Sequence, residues 1–167
     1  MRSKILVSAC LMGFKVRYNA HDKPFVSDEL DRLKHAGRLV IHCPELAAGL
    51  STPRLPAELV GGDGEAALRG EAQILESNGC DVTPHYLLAA WLALRTAQQN
   101  GCKYALMTDA SPTCGTDTRY DGTFSGTRIA GAGVAAALLS LHGIKVFNEK
   151  TLPQLLILLK AEEEEAQ

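Results

Sequence analysis

The stretch "FVSDELDRLKHAGRLVIHC", residues 25–43, sets a helix-spaced segment directly before a strand-like run. Within 25–37, Ser27 is placed to cap a helix, Leu30, Leu33 and Lys34 fall at helical intervals, and Gly37 supplies a C-terminal stop. The run "RLVIHC" (38–43) that follows is short, apolar and β-branched, and it repeats the pattern of "KILVSAC" (4–10) upstream. Strand, helix, strand in this order indicates two parallel strands joined by a crossover, which is right-handed where the strands share a sheet.

Downstream, the same alternation continues. Thr83 and Pro84 open a helix through "HYLLAAWLALRTAQQNG" (85–101), "KYALMT" (103–108) reads as a third strand, "AGVAAALLSLHG" (132–143) as a helix and "IKVF" (144–147) as a fourth strand. Thr151 is placed to cap a last helix, "LPQLLILLK" (152–160), ahead of an acidic tail over 161–167. The middle, 44–80, is broken by Pro44, Pro53 and Pro56. It predicts a loop and hairpin over the sheet, with a turn at "GGDG" (61–64) and an edge strand at "EAQILES" (71–77). The fold expected is therefore a single α/β domain over 1–160, Rossmann-like, with a mainly parallel sheet and helices on both faces. No repeat of solenoid period interrupts it.

Composition narrows the function classes. A chain of 167 residues can bury one sizeable core. The formal charge of -2 owes its acidic excess to the run Glu162 to Glu165, and no basic block of the kind that follows a phosphate backbone is present, so nucleic acid is not an expected partner. No stretch approaches membrane-spanning length. "VSAC" (7–10) imitates a lipoprotein cleavage box, but the apolar run before it begins only at Ile5, short of the about 7–15 residues a signal peptide needs. Five cysteines, an odd number in a chain too large to need disulfide staples, fit a reduced, cytoplasmic setting.

The predicted strand order makes three of those cysteines informative. Cys10 ends the first strand, Cys43 ends the second, and Cys114, in "DASPTCGTD" (109–117), lies in the loop leaving the third, so all three converge on one rim of the sheet. Ligands of open α/β sheets bind outside the carboxyl ends of the strands. Cys102 precedes its strand and belongs at the opposite rim, and Cys80 lies in the turn "SNGCDV"; both read as structural or incidental. Three thiolates, one per loop, suit a soft metal or an iron-sulfur cluster. Zinc with an open fourth position, a nucleophilic Cys114 and plain packing stay open as alternatives. There is no CxxC pair to decide among them.

Other groups gather at that rim. Glu45, two residues after Cys43, is a candidate acid/base, since a carboxylate in a partly dry pocket can exchange protons with a substrate. Ser111, three residues before Cys114, is either a hydrogen-bonding group at the site or a turn former ahead of Pro112. Arg17 and Arg54 sit in loops after the first two strands and can serve an anionic or carbonyl-bearing ligand. The run "GTFSGTRIAGAG" (122–133) leads into a helix whose first N–H groups can hold an anion, though it lacks a dinucleotide or Walker pattern. His42, beside Cys43, points to the opposite face of its strand and is expected to pack under a helix; His21, His35, His85 and His142 read as surface residues.

Four blocks, "SACLMGFKVRYN", "HCPELAAGLSTPRLPAE", "SPTCG" and "YDGTFSGTRIAGAGVAAALL", resemble in order those of a formerly uncharacterised prokaryotic domain family that includes the thiouracil desulfidases. The likeness runs from about residue 3 to 147, with Thr113 in place of a commoner serine and "MTDA" (107–110) without the basic residues usual there. It implies a cytoplasmic enzyme with a 4Fe-4S cluster on Cys10, Cys43 and Cys114, acting on a small thiobase. In that family's proposed mechanism the iron without a cysteine binds the thiocarbonyl sulfur, water attacks the carbon, and the oxo base, uracil, is released. Glu45 matches the family's acid/base carboxylate and Ser111 a serine of the same step. A non-catalytic iron-sulfur or zinc protein, sensing redox state or carrying sulfur, would use the same three ligands.

Overall fold

The computed structural model describes residues 3–9, 28–50, 54–109 and 111–165. In chain order its elements are β1 (Lys4–Ser8), α1 (Asp28–His35), β2 (Leu39–His42), α2 (Pro44–Ala47), β3 (Ala57–Val60), α3 (Gly64–Leu68), β4 (Gln73–Glu76), α4 (Thr83–Gln99), β5 (Cys102–Leu106), β6 (Thr118–Tyr120), β7 (Arg128–Ala130), α5 (Val134–Leu141), β8 (Lys145–Phe147) and α6 (Leu152–Glu165).

Four strands form one parallel sheet in the order β2-β1-β5-β8. β1 and β5 are central and buried on both sides, which is why their sequences are continuous apolar runs without alternation. Leu6, Ala105 and Met107 face one layer with α4 and α5, while Ile5, Val7, Tyr104 and Leu106 face the other with α1 and α6. The expected parallel α/β sheet with helices on both faces is thus the observed one. On the first face, α4 and α5 pack on each other. Both present alanines, Ala90, Ala93 and Ala97 from α4 and Ala135 and Ala136 from α5, all almost fully buried. Small side chains on both helices let their axes approach closely.

Three parts differ from the expectation. The middle segment contributes no edge strand to the main sheet: β4 pairs antiparallel with β3 in a sheet of their own, and the short α3 lies between them, capped by Asp63 whose carboxylate accepts the Ala66 N–H at 3.0 Å. The glycine-rich run after residue 117 holds a second hairpin, β6-β7. Buried Glu58 on β3 ties its tip down, accepting the N–H groups of Gly122 and Phe124 through Oε1. Alternation over only three residues in β6 and β7 is too short to stand out from a loop, so that pairing is invisible in sequence.

The third difference is the acidic end. α6 runs on to Glu165, so most of the expected tail is its last turn and a half. Glu162 accepts the Tyr104 hydroxyl at 2.6 Å, and Glu163 pairs with buried Arg38 at 3.1 Å. Burial first, and then the hydrogen bond to Glu162, push the Tyr104 phenol up to about 12. One of the capping expectations also changes. The Thr83 hydroxyl bonds the Asp81 carboxylate and the Ile74 carbonyl, so it links β4 to α4 without capping it, and Ser27 lies outside the described residues. Thr151 turns the chain between β8 and α6, its hydroxyl accepting the Asn148 N–H at 2.8 Å.

Candidate functional site

The strand order places a topological switch between β1 and β5: the chain leaves β1 toward β2 on one side and later adds β5 and β8 on the other. Crossovers diverging from that point open a crevice at the strands' carboxyl ends, where ligands of this architecture bind. Cys43 directly follows β2, and Cys114 lies in the loop leaving β5, so both sit at this rim. Cys114 is buried there and Cys43 half-buried. Cys10, the third expected member, lies outside the described residues, as do Arg17 and His21. Cys102, the first residue of β5, is at the opposite end, and Cys80 is exposed in the turn after β4. Among the described residues alone, no group of three or more His, Cys, Asp or Glu comes together as a metal site.

The loop that carries Cys114 is built on Asp109. One carboxylate oxygen, Oδ1, accepts the backbone N–H groups of Thr116, Asp117 and Thr118, each at 3.1 Å, and Oδ2 accepts the Thr118 hydroxyl at 3.0 Å. From the end of β8, fully buried Asn148 donates through Nδ2 to Thr116 Oγ1 at 2.6 Å and Asp117 Oδ2 at 2.9 Å. Within the turn, Ser111 Oγ accepts the N–H groups of Thr113 and Cys114 at 3.1 and 3.2 Å. A serine hydroxyl has two lone pairs and one proton. With both lone pairs engaged, Ser111 has its O–H to offer a ligand and can act toward it only as a donor.

The N-terminus of α5 completes this loop from below. Val134 N–H donates to the Pro112 carbonyl, Ala135 and Ala136 N–H to the Thr113 carbonyl, and Gly133 N–H to the Gly115 carbonyl, over 2.7 to 3.2 Å. The N–H groups that the sequence offered to an anion are therefore taken by the cysteine loop itself, which meets the helix's need for capping acceptors. This approach requires glycine at 133. A Cβ there would stand 2.6 Å from the Thr113 carbonyl carbon and oxygen and 2.7 Å from the Pro112 oxygen, all backbone atoms. Gly133→Ala is expected to destabilise the fold by about 1–3 kcal/mol, the usual range for overpacking, and to loosen Cys114. A thermal melt matching wild type would contradict this packing.

Glu45 lies in the first turn of the short helix α2, whose N-cap is Cys43. Thr113 Oγ1 donates to Glu45 Oε1 at 2.9 Å, and the Arg54 guanidinium pairs with Oε2. The ion pair is dry, with Arg54 6% and Glu45 14% exposed. Tyr86 of α4 lies against it; burial pushes its phenol up, against the opposing charge and hydrogen bond of Arg54. Arg54, which the sequence offered as one group able to serve a ligand, pairs with Glu45. His42 at the end of β2 is half-buried, with Nε2 lacking a hydrogen-bond partner among the described residues, and burial lowers its pKa, which favours the neutral imidazole. His35 and His142 bond the carbonyls one helical turn back, and His142 also meets the exposed Trp91 edge-on; His85 is exposed.

A hydrogen bond from the residue before Cys114 to the second residue after Cys43 means that the two cysteine loops and a carboxylate form one unit. The donor set offered there is sulfur, which suits soft metals and iron-sulfur clusters. Against this geometry, residues 5–151 match the model of the 2-thiouracil desulfurase family. The chain belongs to that family. A solved structure described as the 4Fe-4S-dependent thiouracil desulfidase TudS superposes with a TM-score of 0.87 at 42% identity, covering 96% of this chain and 99% of that one. The uncharacterized protein YbbK of Bacillus subtilis strain 168 is 42% identical over 152 residues, 91% of this chain and 99% of its own length.

In this member of the 2-thiouracil desulfurase family, three residues of the site frame escaped sequence reading. Asp109 stood inside the quoted cysteine loop but was given no role, Thr113 was noted only as replacing a commoner serine, and Asn148 lies a full helix away. An aspartate that ends a strand ahead of a Pro-containing turn is a usable signal, since such side chains gather loop N–H groups. Nothing local marks Asn148, whose partners are 31 and 32 residues distant.

Proposed function

We propose that this chain is a 4Fe-4S-dependent thiouracil desulfidase, with the cluster held by Cys10, Cys43 and Cys114 and Glu45 as its acid/base. The observation that carries the reading is the Thr113–Glu45 hydrogen bond, which brings two of the cysteine loops and a partly buried carboxylate to one rim of the sheet. Family membership and the likeness to TudS support it. No helix among the described residues is long and apolar enough to cross a membrane, and a small thiobase is the substrate class that the family description names.

The net reaction exchanges one bond for another without redox change. The thiocarbonyl C=S bond breaks, a C=O bond forms with oxygen from water, and sulfur leaves as sulfide with the protons of that water. When bound, a cluster with three cysteine ligands supplies one iron open to a soft sulfur donor. The protein's part is proton handling and orientation. Among the described residues each Glu45 oxygen has one partner, and a carboxylate has about four lone-pair sites, so each oxygen keeps one with which to take a proton from water. Ser111, restricted to donating, can hydrogen-bond a ring heteroatom and fix the base in the crevice. Arg54 and Tyr86 close the pocket behind Glu45 and exclude water from its rear.

The test is anaerobic reconstitution. Wild-type protein is expected to be brown, with about four irons and four sulfides per chain, and to convert 2-thiouracil to uracil with one sulfide released per turnover. Cys43→Ser and Cys114→Ser should each lose colour and turnover together. Colourless protein holding one zinc would sink the cluster reading. A loaded cluster with no turnover on any thiobase would instead indicate a redox sensor or sulfur carrier.

A further inference from the structure

We propose that Thr113 and Arg54 are positioning residues that hold the Glu45 carboxylate in one orientation, referenced directly to the Cys114 loop. The proposal rests on Glu45 being the acid/base. Thr113 is fully buried, and its hydroxyl donates to Glu45, 68 residues away in sequence. The backbone around that hydroxyl is fixed on both sides: Thr113 N–H donates to Ser111 Oγ, and its carbonyl accepts two N–H groups from the start of α5. A β-branched side chain on such a backbone has little χ1 freedom, so its hydroxyl marks a fixed point in the site. The adjacent residue is Cys114. Any shift of that cysteine moves the hydroxyl with it, and the carboxylate follows.

Arg54 supplies the second point. Its guanidinium holds Oε2 while Thr113 holds Oε1, so the carboxylate is gripped at both oxygens from two separate loops. Two-point contact fixes rotation about the last side-chain bond, which a single hydrogen bond would leave free. Tyr86, from the core face of α4, hydrogen-bonds Arg54 and steadies the clamp from behind. The clamp directs the remaining lone pairs without occupying them. Its effect therefore belongs to the chemical step and not to substrate binding.

The experiment compares Thr113→Val, which keeps shape and removes the hydroxyl, with Thr113→Ser, which keeps the hydroxyl, in cluster-loaded protein. Thr113→Val is expected to retain iron, sulfide, absorption spectrum and uracil affinity while kcat falls about a hundred-fold, the loss typical of a misplacement near 1 Å. Thr113→Ser is expected to restore most of the rate. In the Glu45→Gln background, Thr113→Val should cause no further loss, because its effect runs through Glu45. A wild-type kcat in loaded Thr113→Val, or the same fold-loss with and without Glu45, would overturn the proposal. If Thr113→Val does not load, Arg54→Gln, which lies outside the loop of Cys114, carries the same comparison. Full activity in Glu45→Gln alone would overturn the acid/base reading itself, a result separate from any outcome at Thr113.

Discussion

Glu45→Gln is expected to give a brown, fully loaded protein whose sulfide release is slower by about 10²–10⁴-fold, the usual contribution of a positioned acid/base group. The geometry explains why glutamine and not alanine is informative. A glutamine carbonyl can still accept from Arg54, and its amide can donate to Thr113 once that hydroxyl rotates to accept. The link between the two cysteine loops then survives while the base is gone. Alanine would remove both contacts and confuse a loss of chemistry with a loss of ligand placement. Thermal stability should also fall in Glu45→Gln, since Arg54 is 6% exposed and would lose its counter-charge. Iron and sulfide assays alongside single-turnover rates separate these effects. Wild-type turnover in the loaded variant would remove Glu45 from the chemistry.

Asp109→Ala is expected to release the loop that carries Cys114 and to lose the cluster outright. Three backbone N–H groups converge on one carboxylate oxygen in a buried setting, and a hydroxyl occupies the other. An unsatisfied buried donor costs about 1–3 kcal/mol, so losing three acceptor contacts at once should cost on the order of 3 kcal/mol or more. Asp109→Asn keeps one acceptor oxygen and should fall between. Denaturant melts of the cluster-free chain and iron content after reconstitution are the measurements. A variant that keeps wild-type iron content would mean that Asn148 and the α5 N-terminus suffice to hold the loop.

Comparing the expectations with the molecule separates what is local from what is not. The four strands of the main sheet and the long helices were legible because each has its own signal: β-branched apolar runs such as "KILVS" and "LVIH", and helical spacing in residues 83–99. A hairpin in the middle segment was legible from its turn and apolar run, but not that β4 would pair with β3 in a separate sheet, and the β6-β7 hairpin was missed because strands of three residues give no period to count. The acidic end misled for a related reason. Four consecutive glutamates read as a solvated tail, but Tyr104 on β5 and Arg38 just before β2 draw two of them into contact and keep the helix going.

The same division holds at the site. That Cys43 and Cys114 reach one rim follows from the order of strands and the rule that loops after parallel strands share an edge, and both were placed there by sequence. So was Glu45, by its spacing from Cys43. Only the tertiary structure decided that Arg54 pairs with Glu45, that Ser111 Oγ accepts two N–H groups of its own turn, and that the α5 N–H groups are filled by the cysteine loop. Each of these depends on which partner a polar group finds across a long stretch of chain. Sequence carries periodicity and residue chemistry, which are local. A hydrogen bond between residues 45 and 113 exists only once the sheet has brought their loops together.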